Sequence, residues 1–136
     1  MLALTGLLLV AIGIAPCPAV ARRGRVRMSG RGLSPGAKYS GSVLTQDQLR
    51  QCLTQESQIN AAIEKLDKDE AFINAQERLV DQYSQTSVDR FNRLISQFNE
   101  SVATSNASID AFNASCSGRA YYESDMKAAR TSLGLN

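Results

Sequence analysis

Apolar residues recur every seven positions through the middle of the chain, at Cys52, Ile59, Leu66, Ile73 and Val80, with Leu49, Ile63 and Tyr83 on neighbouring positions of the same face. A polar stretch, Ser84 to Ser87, follows. A second heptad series then runs through Val88, Ile95, Val102, Ile109 and Cys116, with Phe91, Phe98 and Phe112 three residues after its first, second and fourth members and Ser105 as the exception. Neither glycine nor proline occurs between Gly41 and Gly118, and the residues there are rich in Ala, Gln, Glu, Leu, Lys and Arg, which predicts helix throughout. Thr45 followed by Gln48 makes a capping box, Asp47 lies in the first turn, and Leu44 can staple to Leu49, so the first helix starts behind an N-cap at Thr45.

The two series mirror each other about Ser84. Val80 answers Val88, Ile73 answers Ile95, Leu66 answers Val102, Ile59 answers Ile109 and Cys52 answers Cys116, every pair of numbers summing to 168. A chain that reverses near Ser84 brings each pair to about the same height, with a residual slide of about 5 Å because antiparallel coiled coils pack a against d. The two cysteines then meet at the open end. A disulfide there closes a loop of roughly 65 residues and stabilises by about 4 kcal/mol through loop-closure entropy. Two unrelated buried thiols are the alternative. If the turn stays helical, a rod of about 110 Å pairs instead with a second chain, Cys52 against its neighbour's Cys116. The expected turn, 83–87, has no Gly or Pro, and Thr86 with Asp89 is the expected N-cap of the second helix. Beyond the terminating Gly118, the spacing of Tyr122, Met126, Ala129 and Leu133 predicts a short third helix that caps the open end. The fold class expected is all-α: a long antiparallel two-helix coiled-coil hairpin over 44–117, a short C-terminal helix and tail over 118–136, and a disordered N-terminal arm.

Ahead of the helices, Leu2 to Ile14 is an apolar run shorter than a bilayer crossing, and Ala19-Val20-Ala21 follows two prolines, so 1–21 reads as a signal peptide cleaved after Ala21. Cleavage leaves Cys52 and Cys116 as the cysteines. The n-region lacks Lys and Arg, and Arg22, Arg23, Arg25 and Arg27 follow the run where they resist translocation, which keeps a membrane anchor, an Arg-rich transit sequence or a start at Met28 as alternatives. Residues 22–43, rich in Gly and Ser, are expected to be a basic flexible linker.

Charge divides the chain further. The first 46 residues carry six basic side chains and no acidic one, whereas 47–136 carry nine basic and thirteen acidic. Arg22, Arg23, Arg25, Arg27 and Arg31 therefore form a candidate contact for an anionic membrane or, less favoured, nucleic acid. Histidine and tryptophan are absent, removing the commonest neutral-pH acid/base group. Asn92, Asn99, Asn106 and Asn113 form a further heptad series. They read either as an amide ladder that binds a partner or as flanking groups bonded to Glu56, Glu70 or Glu77; the N-x-S sequons at Asn99, Asn106 and Asn113 fall within that periodicity. Asp67, Asp69 and Glu70 cluster beside Lys65 and Lys68, the pattern of a solvated charged face supported by i,i+4 pairs. No glycine-rich phosphate loop, metal-ligand spacing or nucleophile elbow occurs in the sequence.

Cys52-Leu53, the Phe91-Asn92, Phe98-Asn99 and Phe112-Asn113 pairs, and Cys116-Ser117-Gly118-Arg119-Ala120-Tyr121 together give the body from Leu44 to about Arg130 its character. In these it resembles small exported, uncharacterised bacterial helical-hairpin proteins with two cysteines and repeated aromatic-Asn pairs. The resemblance implies location and shape, not an activity. The expectation is thus a periplasmic or secreted, non-catalytic module without cofactor or metal, which binds another envelope protein or itself through its polar flank or its Tyr83-bearing tip. A basic-arm binder of nucleic acid or anionic membrane and a small inhibitor or holdase are the competing readings.

Overall fold

The computed structural model describes residues 24–135. The expected signal peptide, Arg22 and Arg23 lie outside the described residues.

The elements run β1 (Gly30–Leu33), β2 (Val43–Leu44), α1 (Gln46–Glu77), α2 (Gln85–Ser115), β3 (Arg119–Tyr122) and α3 (Glu123–Ser132). α1 starts where its sequence signals place it. The Thr45 hydroxyl accepts the Gln48 N–H at 3.3 Å and the Gln48 side-chain oxygen accepts the Thr45 N–H at 2.9 Å, closing both halves of the capping box. Leu44 and Leu49, on either side of the cap, are buried in one cluster. At 1.5 Å per residue, α1 and α2 are each about 47 Å long.

The reversal comes earlier than expected: α1 stops at Glu77, and α2 is capped by Ser84, not Thr86. No residue of this turn takes a positive φ, so it needs no glycine, and side chains bond its backbone N–H groups. Asp81 accepts the Tyr83 N–H at 2.9 Å, the Ser87 hydroxyl accepts the Asp81 N–H at 3.1 Å, and the Ser84 hydroxyl accepts the Ser87 N–H at 3.4 Å. Short polar side chains thus satisfy two N–H groups of the turn and one at the start of α2 that have no helical partner. Val80, expected as the last member of the first stripe, lies in this turn and still packs on the core.

Two clusters make that core. One joins Leu49, Cys52, Leu53, Ile59 and Ile63 of α1 to Phe112 and Cys116 beyond, with Ala129 of α3 closing over them. The other joins Leu66 and Ile73 to Phe91, Ile95 and Phe98, with Val80 and Val102 against it. The beginning of α1 therefore lies beside the end of α2, and the second half of α1 beside the first half of α2. Cys52 and Cys116 are bonded as a disulfide, with Cα atoms 5.7 Å apart.

The all-α expectation needs correction at the open end. β1, β2 and β3 form a parallel sheet in the order β1-β3-β2, with Gly30 opposite Arg119 and Leu33 opposite Tyr122 on one side and Val43 opposite Ala120 on the other. The expected flexible linker is therefore docked over residues 26–33 and at Val43, with a largely exposed loop, 34–42, between the two strands. Its composition predicts a tether because Gly and Ser contribute little burial of their own, but here the close approach itself requires glycine: a Cβ on Gly30 would run into the Arg119 carbonyl oxygen. Gly118, at φ +70°, turns the chain from α2 into β3 and donates its N–H to Ser29 O at 2.6 Å. The short third helix is present as α3, with Ala129 fully buried, although Tyr122, expected as the first of its apolar series, belongs to β3. No helix among the described residues is long and apolar enough to cross a membrane.

Candidate functional site

The break in the aromatic series of α2 has a structural counterpart. Phe91, Phe98 and Phe112 fill the space between the helices, each 3% exposed or less, but Ser105 in the same series leaves its level short of volume. The two core clusters separate at that height, Ile63 belonging to one and Leu66 to the other. Beside Ser105 runs an open groove of about 890 Å³, with Ile59, Ala62 and Leu66 of α1 facing Ser101, Ser108 and Ala111 of α2. Ser105 is 5% exposed, and its hydroxyl has no hydrogen-bond partner among the described residues. A buried hydroxyl in that state costs about 1–3 kcal/mol relative to a satisfied one.

The rim is polar. Lys65 and Asp69 pair along α1, and Glu100 stands across from them on α2. Past these residues the groove continues into a smaller stretch of about 350 Å³ that ends on Phe72 and Leu94. Phe72 is 53% exposed, and on the turn beyond it Leu79 is 74% and Tyr83 100% exposed. Three large apolar side chains thus stand in water at or near the closed end of the helix pair.

The other candidate residues fall elsewhere. Asn92 and Asn106 are half-buried, each with a side-chain oxygen that has no partner among the described residues, whereas Asn99 and Asn113 are exposed; none of the four lines the groove. Among the described residues no hydrogen bond joins these amides to Glu56, Glu70 or Glu77, the acceptors expected for them. Glu56 is occupied instead by the N-terminal segment: its carboxylate accepts the Met28 N–H at 2.7 Å, and one turn on the Asn60 amide donates to the Val26 carbonyl at 3.0 Å. Arg25, Arg27 and Arg31 are exposed, but they ride on this anchored segment and on β1. Sequence reasoning missed both the anchor and the groove, although the lone Ser105 in a phenylalanine series was a visible signal for the latter. Among the described residues no group of three His, Cys, Asp or Glu side chains is placed to hold a metal ion.

No protein-family model, curated protein or solved structure matches the chain, so the groove is read from its own chemistry.

Proposed function

We propose that this chain is a non-catalytic interaction module of the periplasm or the extracellular space, an antiparallel coiled-coil hairpin that receives a protein partner along its groove and closed end. The observation that carries this reading is the exposure of Phe72 at the end of the groove, and of Leu79 and Tyr83 on the turn beyond it, together with a buried Ser105 hydroxyl that has no partner among the described residues. Burying such side chains against a partner stabilises by about 1.5–3 kcal/mol each, and exposed apolar surface rimmed by polar residues is the usual mark of an interface. The Cys52–Cys116 disulfide supports an oxidising compartment, as does the resemblance to small exported hairpin proteins. The groove's own charged groups favour binding over catalysis: the Lys65–Asp69 pair lies open to solvent, in i,i+4 geometry on one helix face.

Photocrosslinking in living cells tests the reading. A photoreactive side chain placed at Phe72, Leu79 or Tyr83 is expected to trap a protein, while the same group at exposed Asp110, which lies off the groove, traps none. Equal trapping at all four positions, or none at the first three, refutes it.

A further inference from the structure

We infer that the occupant of the groove is a second copy of this chain, laid face to face and turned end for end about a two-fold axis that crosses the groove at Phe72. The inference rests on the interaction-module reading and names its partner.

Heights along the helix pair follow from the disulfide. Because Cys52 and Cys116 lie side by side, a residue of α2 stands at about the height of the α1 residue that completes a sum of 168. Ser105 is then level with residue 63 and Glu100 with residue 68, and Arg90 is level with residue 78. A two-fold axis at Phe72 carries each height to its complement in 144, twice 72. Three consequences follow from that one placement. The half-exposed Phe72 rings of the two copies meet at the axis. The turn bearing Tyr83, which is fully exposed, arrives at height 61, over the stretch where the Ser105 hydroxyl has no partner among the described residues. Arg90 arrives at height 66, two residues or about 3 Å from Glu100 of the second copy, and the symmetry repeats the pair.

Position on the helix agrees with this. Glu100 lines the groove, and Arg90 stands one heptad before Gln97, which also lines it. Both side chains are exposed, and neither joins an ion pair within its own chain among the described residues. The overlap also has the extent that a stable pair needs. From height 61 to height 83 it runs about 33 Å, and at two helices, about 20 Å, wide it covers about 660 Å² per copy. That is about 1,300 Å² in all, within the range of specific interfaces. Such a face is self-complementary: the side that lacks an aromatic ring at Ser105 is offered one by the other copy's tip.

Sedimentation equilibrium of the oxidised full chain tests the inference. The expected result is a dimer with a dissociation constant of about 1–10 μM. Arg90→Glu and Glu100→Arg are each expected to weaken it about tenfold or more, and the two together to restore it. Both substitutions are on the surface, so helicity by circular dichroism is expected to stay unchanged. Ser105→Phe, which fills the groove from within, is expected to abolish the dimer. A chain that remains monomeric at about 100 μM, or a dimer indifferent to the charge reversals, overturns the inference. If the chain is monomeric while photocrosslinks from Phe72 still trap another protein, the second copy is ruled out and the interaction module stands.

Discussion

The carboxylate of Glu56 holds the backbone N–H of Met28 at 2.7 Å, across 28 residues of sequence. With Asn60 bonded to the Val26 carbonyl one turn further on, it fixes the approach of the N-terminal segment to α1 and so delivers β1 to β3. A hydrogen bond to a charged group contributes about 1.5–3 kcal/mol. Glu56→Ala is therefore expected to speed amide hydrogen exchange across residues 26–33 while leaving exchange in α1 and α2 unchanged. Unaltered protection at Leu33 would show that the sheet docks without this anchor.

The disulfide closes the open end, where both cysteines are at most 4% exposed and 64 residues separate them. Replacing both with serine is expected to lower stability in guanidinium titration by about 4 kcal/mol, most of it through the freedom returned to the unfolded chain. The far-ultraviolet circular dichroism of the folded variant is expected to match that of the parent, because the two apolar clusters remain. Equal midpoints for parent and variant would remove the disulfide from the list of stabilising features.

Gly30 faces the Arg119 carbonyl at a distance that admits no side chain. In Gly30→Ala the new methyl meets backbone, which cannot swing aside as a flexible side chain does, so β1 must shift or detach. The expected cost is about 1–3 kcal/mol, the usual range for forced overpacking, with exchange protection lost in β1 but retained in α3. A variant as stable as the parent would mean that the strand pairing is loose in solution.

Ser105→Ala carries an unusual sign. Most substitutions at buried positions destabilise, but this one removes a buried hydroxyl that has no partner among the described residues and leaves the methylene packing in place. Measured at concentrations low enough to keep chains apart, stability is expected to rise by about 1 kcal/mol. A loss of stability instead would reveal a partner for that hydroxyl within the single chain.

Much of the helical body was legible from local and periodic signals. The heptad stripes name most residues of the two apolar clusters, Leu44, Leu53 and Ala129 excepted, and Thr45 and Gln48 mark the start of α1 because a cap needs only a side chain three residues from its donor. The mirror of Cys52 and Cys116 predicted their bond for a similar reason, since two helices of equal rise keep register over their whole length. The turn was placed too late. Polar Ser84 to Ser87 resembled a loop, but Ser84 acts as a cap, and Asp81 turns the chain through a hydrogen bond that composition does not advertise.

The amino-acid order by itself determined the two long helices, their apolar faces, the pairing of the thiols and the short helix after Gly118, because each depends on spacing within one segment or on one shared period. Only the tertiary structure decided the sheet, the docking of residues 26–33 and the groove beside Ser105. Gly30 to Leu33 have no periodicity to read, and their partner strand lies 89 residues away in the fixed register of Gly30 with Arg119. A segment of glycines and serines orders only when another part of the fold, here Glu56, Asn60 and β3, supplies the hydrogen bonds that offset its lost entropy. A missing ring becomes a groove only when the helix across from it is in place.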